Sequence, residues 1–177
     1  MLKEIDVATV ERLKLFFFDC MLNGSLGDAP RQDVPGMPGY RKIEFEEGDL
    51  KFMDLYTRNL GTGKSHGLIT IWLGNQPMWM MSANGEFERR ALPILKDALR
   101  KSYEAREFRG GRGPACMEAL PLRYTNENSS LVFEGFSGHE TTWERDPEEK
   151  LDNIGLAVWH DIGSQRYQGG LLVHVSR

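Results

Sequence analysis

Apolar residues recur at Leu13, Phe16, Phe17, Cys20 and Met21, the spacing that lines one face of a helix. Asp6 stands where an N-cap would accept a backbone N–H, and Ile5 and Val10 stand where a hydrophobic staple would close around it. Asn23-Gly24 tolerates the left-handed backbone and is expected to end this helix. A second stripe, Leu92, Leu95, Ala98, Leu99 and Tyr103, predicts another helix with Lys96, Arg100, Lys101 and Glu104 outside. Pro93 falls in its first turn, where a missing N–H costs little.

Between and after the helices the period drops to two. Strands are predicted over 40–46, with Ile43 and Phe45 on one side, and over 50–57, across the turn Glu47-Gly48-Asp49. Two more, 67–73 and 78–83, flank a hairpin turn at Gly74-Asn75-Gln76-Pro77. Past the second helix, strands are expected over 118–125, over 131–145 with a bend at 135–138, over 156–161, and over 165–175 after a turn at Ile162-Gly163-Ser164. Residues 24–39, with four glycines and three prolines, read as a loop, either a flap or a connector, and 108–116 as another. A polar linker is expected over 146–153.

The order helix, four strands, helix, four strands implies an α+β class. One curved antiparallel sheet of about eight strands would bury one face under two main helices, leaving the other to solvent, a partner or the long loops. It also suggests a degenerate α-β4 duplication, with pseudo-repeats over 5–85 and 86–175 inside a single domain spanning 1–177. The two closing hairpins carry the likeness: Ile71-Trp72, a Gly74 turn, Trp79; then Val158-Trp159, a Gly163 turn, Tyr167.

Composition narrows the classes. With 40% apolar and 27% charged residues the chain is ordinary for a globular protein. A net charge of −4 argues against a duplex-binding surface, so no nucleic-acid partner is expected for this domain. Arg106, Arg109 and Arg112 lie close together and read as a solvated loop, with a local basic patch as the alternative. No apolar run approaches the roughly 18 residues that a membrane span needs, and the N-terminal stretch, broken by Lys14 and Asp19, does not read as a signal peptide. A cytoplasmic location is the expectation. Cys20 belongs to a buried helix face and Cys116 to a Gly/Pro loop. No CxxC spacing joins them, and an intracellular chain would keep both reduced.

Two tempting motifs fail on context. Gly61-Thr-Gly63-Lys64-Ser65 lacks the leading glycine of a phosphate-binding loop, which would fall at Arg58, and a β-like run follows where a helix is required. His139-Glu140 opens like a zinc-protease motif, but Trp143 occupies the second histidine position. Neither a metal nor a cofactor is expected. More informative are carboxylates on strand faces. Asp54 sits between Phe52 and Tyr56, and either it points inward and needs partners or Met53 and Leu55 face the core and it meets water. Glu140 poses the same question, sharpened by the Gly135-Phe-Ser-Gly138 stretch, which reads as a bulge that re-aims side chains. Trp72, Trp79, Trp143, Trp159, Tyr56 and Tyr167 either line a pocket or form core.

The run from Tyr40 through Phe45-Glu-Glu-Gly48-Asp49-Leu-Lys-Phe52-Met-Asp54-Leu-Tyr56 resembles the opening of the bacterial and archaeal domain-of-unknown-function family five-six-eight-zero. The Trp72-Leu-Gly74-Asn-Gln-Pro77-Met-Trp79-Met-Met81 segment, Phe136-Ser-Gly138-His-Glu140, and Tyr167-Gln-Gly169-Gly170 are similar to its later motifs. Where that family often carries a glycine–glutamate element in the first half, this chain has His66-Gly67-Leu68-Ile69. The resemblance implies a domain found alone or behind helix-turn-helix regulators, with no established activity.

Three functional expectations result. The first is a non-catalytic small-molecule or peptide binding or sensory module, its site drawn from Asp54, Tyr56, Trp79, Glu140, Trp143 and Tyr167. The second is an enzyme using Asp54, Glu140 and His139 as acid and base, which requires the three to converge. The third is a homodimeric interaction domain that buries an open sheet face.

Overall fold

The structure is a computed structural model that describes residues 4–128, 130–146 and 157–176. Helix α1 spans Val7–Cys20, and Asp6 caps it by accepting the Thr9 N–H at 2.8 Å. The helix does not stop at Asn23-Gly24. It widens into a π-helical turn over Met21–Ser25, and Gly24 is not left-handed. What position 24 requires is smallness, since a Cβ there would meet the Phe45 ring at 2.7 Å. This turn carries Ser25 over the sheet, which matters for the site below.

A pair of residues, β2 (Gln32–Asp33), then opens a meander of β3 (Tyr40–Glu47), β4 (Leu50–Arg58), β5 (Lys64–Leu73) and β6 (Gln76–Phe87). A single 3-10 turn leads into α2, Leu92–Glu104, with Pro93 in its first turn. The second half adds β7 (Cys116–Ala119), β8 (Leu122–Asn128), β9 (Gly135–Arg145) and β10 (Trp159–Leu171). Strands run in the order β2-β3-β4-β5-β6-β10-β9-β8-β7, all antiparallel, in one nine-stranded sheet that stays open. The last strands of the two meanders, β6 and β10, form the seam between the halves. Near the chain ends β1 (Glu4–Ile5) and β11 (His174–Val175) pair in parallel.

Three strand expectations need correction. The stretch 118–125 is split at Leu120-Pro121 into β7 and β8, because proline cannot donate to the ladder. The expected bulge at 135–138 is absent, and β9 keeps unbroken register with β10 there. The irregularity lies instead in β10, between Asp161 and Gly163, so Ile162-Gly163-Ser164 is not a turn and there is no second closing hairpin. Glycine in a strand signals a bulge or a close approach as readily as a turn. At Gly163 the approach is to Phe87, whose ring would meet a Cβ at 2.5 Å. Asp161 accepts the Gly163 N–H at 2.7 Å, and Thr142 donates to the Gly163 carbonyl at 3.0 Å, which holds the chain extended. Of the linker expected over 146–153, only Asp146 is among the described residues.

Both helices cover one face. Leu13, Phe16 and Phe17 of α1 and Ile94, Ala98 and Tyr103 of α2 join Phe52, Ile71, Trp79, Met81, Phe136 and Tyr167 in one core. Trp79 is its centre. Fully buried, it stacks on Phe133 at 4.9 Å, and its Nε1 donates to the Phe133 carbonyl at 2.9 Å. Cys20 is buried in this core, which pushes its thiol pKa up, whereas Cys116 is exposed on β7 and both are free. On the outer face, Met53, Leu55, Leu68, Trp72 and Met80 form a half-exposed apolar area over β4 to β6. No helix among the described residues is long and apolar enough to cross a membrane.

Candidate functional site

The inner face of the sheet is not filled throughout. A cavity of about 240 Å³ lies between the π-helical turn, α2 and strands β4, β5, β6 and β10. Met21, Ile69, Met81, Leu95 and Leu99 give it apolar walls, and Tyr56, His66 and Lys96 stand at its more polar side. Besides the exposed Lys96, the charged groups Asp54 and Arg112 also line it.

Asp54 is on the inner face of β4 by register, beside Phe52, and pairs across to Ile69. It is therefore the inward alternative that holds. Ser25, delivered by the π-helical turn, donates to Asp54 Oδ2 at 2.6 Å. Oδ1 accepts no hydrogen bond among the described residues, and Asp54 lines the cavity. Burial pushes the Asp54 pKa up. The Ser25 hydrogen bond and the charges of Arg112 and Arg31 oppose the shift without cancelling it.

Arg112 was expected in a solvated loop. It is buried instead, because the 109–113 loop is folded onto the sheet and clamped by side chains. Gly110 and Gly111 both take positive φ, 63° and 69°, a pair that other residues adopt only with strain. Tyr103 donates to the Gly111 carbonyl at 2.8 Å, Asn126 donates to the Gly113 carbonyl at 2.8 Å, and the Gly113 N–H donates to Tyr124 at 3.0 Å. Tyr167 orients Asn126 by donating to its Oδ1 at 2.6 Å. The guanidinium that emerges donates from Nε (3.0 Å) and Nη2 to Glu140 Oε1, and Tyr124 donates to Glu140 Oε2 at 2.6 Å. Burial would strip the charge from Arg112, but the carboxylate beside it outweighs burial and raises the guanidinium pKa. Of the five N–H donors of Arg112, two are engaged by Glu140, and Arg112 also lines the cavity. Burial, and then the nearby Glu140 charge, raise the Tyr124 pKa well above that of a free phenol, so this tyrosine stays a donor.

The six sequence candidates thus separate. Asp54 and Tyr56 line the cavity. Glu140 and Tyr167 stand behind its wall, in the network that fixes Arg112. Trp79 is core, and Trp143 is on the outer face, donating to Thr125 Oγ1 at 3.0 Å. His139 is exposed on the outer face of β9, opposite the side on which Glu140 is buried, so Asp54, Glu140 and His139 do not meet in one cleft. Ser25 and Arg112 were missed. Their signals were faint: a serine just past a helix end, and an arginine whose flanking glycines allow the backbone to press against a sheet. Among the described residues no group of three or more histidine, cysteine, aspartate or glutamate side chains is placed to hold a metal ion. Compared with known protein families, with curated proteins and with solved structures, the chain matches none.

An enclosed carboxylate with a raised pKa works against its own fold. In the window between the ordinary aspartate pKa and the raised one, the native state holds a proton that the unfolded chain has lost, so stability falls as pH rises through it. Asp54→Asn keeps an acceptor for Ser25 and removes that ionisation. The variant is expected to be more stable than the parent at neutral pH and to lose this component of the acid-side pH dependence. Urea titrations at several pH values check both. Equal or lower neutral-pH stability would show that Asp54 is not desolvated.

Proposed function

We propose that the protein is a non-catalytic binding module that takes a small, partly apolar molecule into the cavity between α2, the π-helical turn and the sheet. The observation that supports it most is Asp54. It is a carboxylate set among apolar walls, with Oδ2 held by Ser25 and its charged form disfavoured by burial, so a group that pairs with it inside the cavity would gain more than it would at the surface. Binding sites have this makeup, mostly apolar surface with a few placed polar groups. The volume equals that of about eight water molecules at ~30 Å³ each, which suits a small metabolite rather than a peptide. It is this geometry, and not the resemblance to a domain of unknown function, that favours the reading.

Thermal-shift screening of a metabolite library against the parent and against Ala83→Leu tests it. Ala83 lines the cavity from β6, and a leucine there projects into the space a ligand would take. The expected outcome is a set of compounds that raise the parent Tm by several degrees and leave the filled variant unmoved. Stabilisation that survives in Ala83→Leu would place binding elsewhere.

A second reading, self-association, is favoured by the half-exposed Met53, Leu55, Leu68, Trp72 and Met80 on the outer face. Light scattering should then show a dimer that dissociates on dilution, and Leu55→Glu should yield monomer at every concentration. A parent that is monomeric throughout removes this reading.

A further inference from the structure

The charges around the cavity narrow the chemistry of its occupant, granted the binding reading above. Arg112 and Glu140 are both buried and joined by two hydrogen bonds, so together they contribute no net charge. Asp54, half-buried at the cavity wall, has no partner of opposite sign in hydrogen-bond contact among the described residues, since its one side-chain partner is the neutral Ser25. Arg31 and Lys96, the other cations near the site, are exposed and donate nothing to Asp54. Solvent screens charges of that kind. An anion placed here would join two carboxylates around one guanidinium that is already matched. A monocation with N–H donors would instead complete the pairing, and charge-assisted hydrogen bonds are the strong ones.

We infer that the cavity takes a small cationic amine with an apolar body, its ammonium donating to Asp54 Oδ1 and its hydrocarbon part lying against Met21, Ile69, Leu95 and Leu99. Burial, which pushes the Asp54 pKa up despite the charges of Arg112 and Arg31, is the penalty that a cation paired with the carboxylate would offset. The size limit, about eight waters' worth of space, points to amines of roughly eight non-hydrogen atoms.

Three probes of one shape and different charge decide the matter: benzylamine, benzyl alcohol and benzoate. Each is titrated by calorimetry into the parent, Asp54→Asn and Ala83→Leu, with folding of each variant checked by circular dichroism. Benzylamine is expected to bind the parent at least tenfold more tightly than benzyl alcohol, with benzoate weakest. Asp54→Asn should erase the advantage of the amine while leaving the alcohol unchanged, and Ala83→Leu should weaken the amine and the alcohol alike. Benzoate binding best, or all three binding equally in the parent, overturns the amine assignment and leaves the binding module standing. No binding by any probe also overturns it. The library screen then separates the two ideas, because hits lost in Ala83→Leu preserve the cavity reading and an empty screen removes both.

Discussion

Glu140→Ala is expected to destabilise the protein by about 3–5 kcal/mol, the cost of leaving a buried charge without its partner. The carboxylate accepts from Arg112 Nε and Nη2 and from Tyr124, and it is wholly inaccessible to solvent. Its removal leaves the Arg112 guanidinium uncompensated inside the fold and orphans the Tyr124 hydroxyl as a donor. Arg112→Met should cost a similar amount for the mirror reason. The double variant, Arg112→Met with Glu140→Ala, should be less destabilised than the sum of the singles by at least about 1 kcal/mol, since paired removal spares the stranded charge. Urea unfolding of the four proteins measures the coupling. Simple additivity would mean that the two side chains do not act as a pair.

Trp79→Ala is the second large effect. Emptying a buried aromatic site costs about 3–5 kcal/mol, and the Phe133 carbonyl also loses the indole N–H that satisfies it. Against a typical total of about 5–15 kcal/mol, such a variant stands at the edge of folding. Trp79→Phe keeps most of the packing against Phe133 and Phe17 and loses the hydrogen bond, so about 1–3 kcal/mol is expected. Trp143→Ala, on the outer face, should cost less than half of what Trp79→Ala does. Chemical denaturation of the three variants orders them, and a Trp143 effect as large as that of Trp79 would contradict the assignment of faces.

The two tryptophans show where sequence reading reaches its limit here. Alternation along a strand groups residues by side, and that was legible on β3 and β4, but it left open whether Phe52 and Asp54 or Met53 and Leu55 face the helices. It does not give depth, so Trp79 and Trp143 looked equally suited to a pocket. Both helices were legible from their period, with Asp6 on the Thr9 N–H for α1 and Pro93 in the first turn of α2, although α1 runs on past Asn23-Gly24. The candidate site was legible only in part. Asp54 and Tyr56 were visible as an inward-capable pair, two residues apart on β4. Arg112 was not, because its burial depends on Glu140, which is 28 positions away and carries no spacing signal. Gly163 misled for a local reason, since the sequence does not tell a glycine that turns the chain from one that lets Phe87 come close.

The seam between β6 and β10 has a kinetic consequence. Among the described strands, every other ladder in the large sheet joins strands consecutive in the chain, whereas this one pairs Phe87 with Gly163 and Trp79 with Leu171. Forming it requires closing a loop of roughly 80 residues, an entropic cost the hairpins within each half do not face. Each meander is therefore expected to assemble early and the seam to zip late, so that the rate of folding is set by the meeting of two half-sheets.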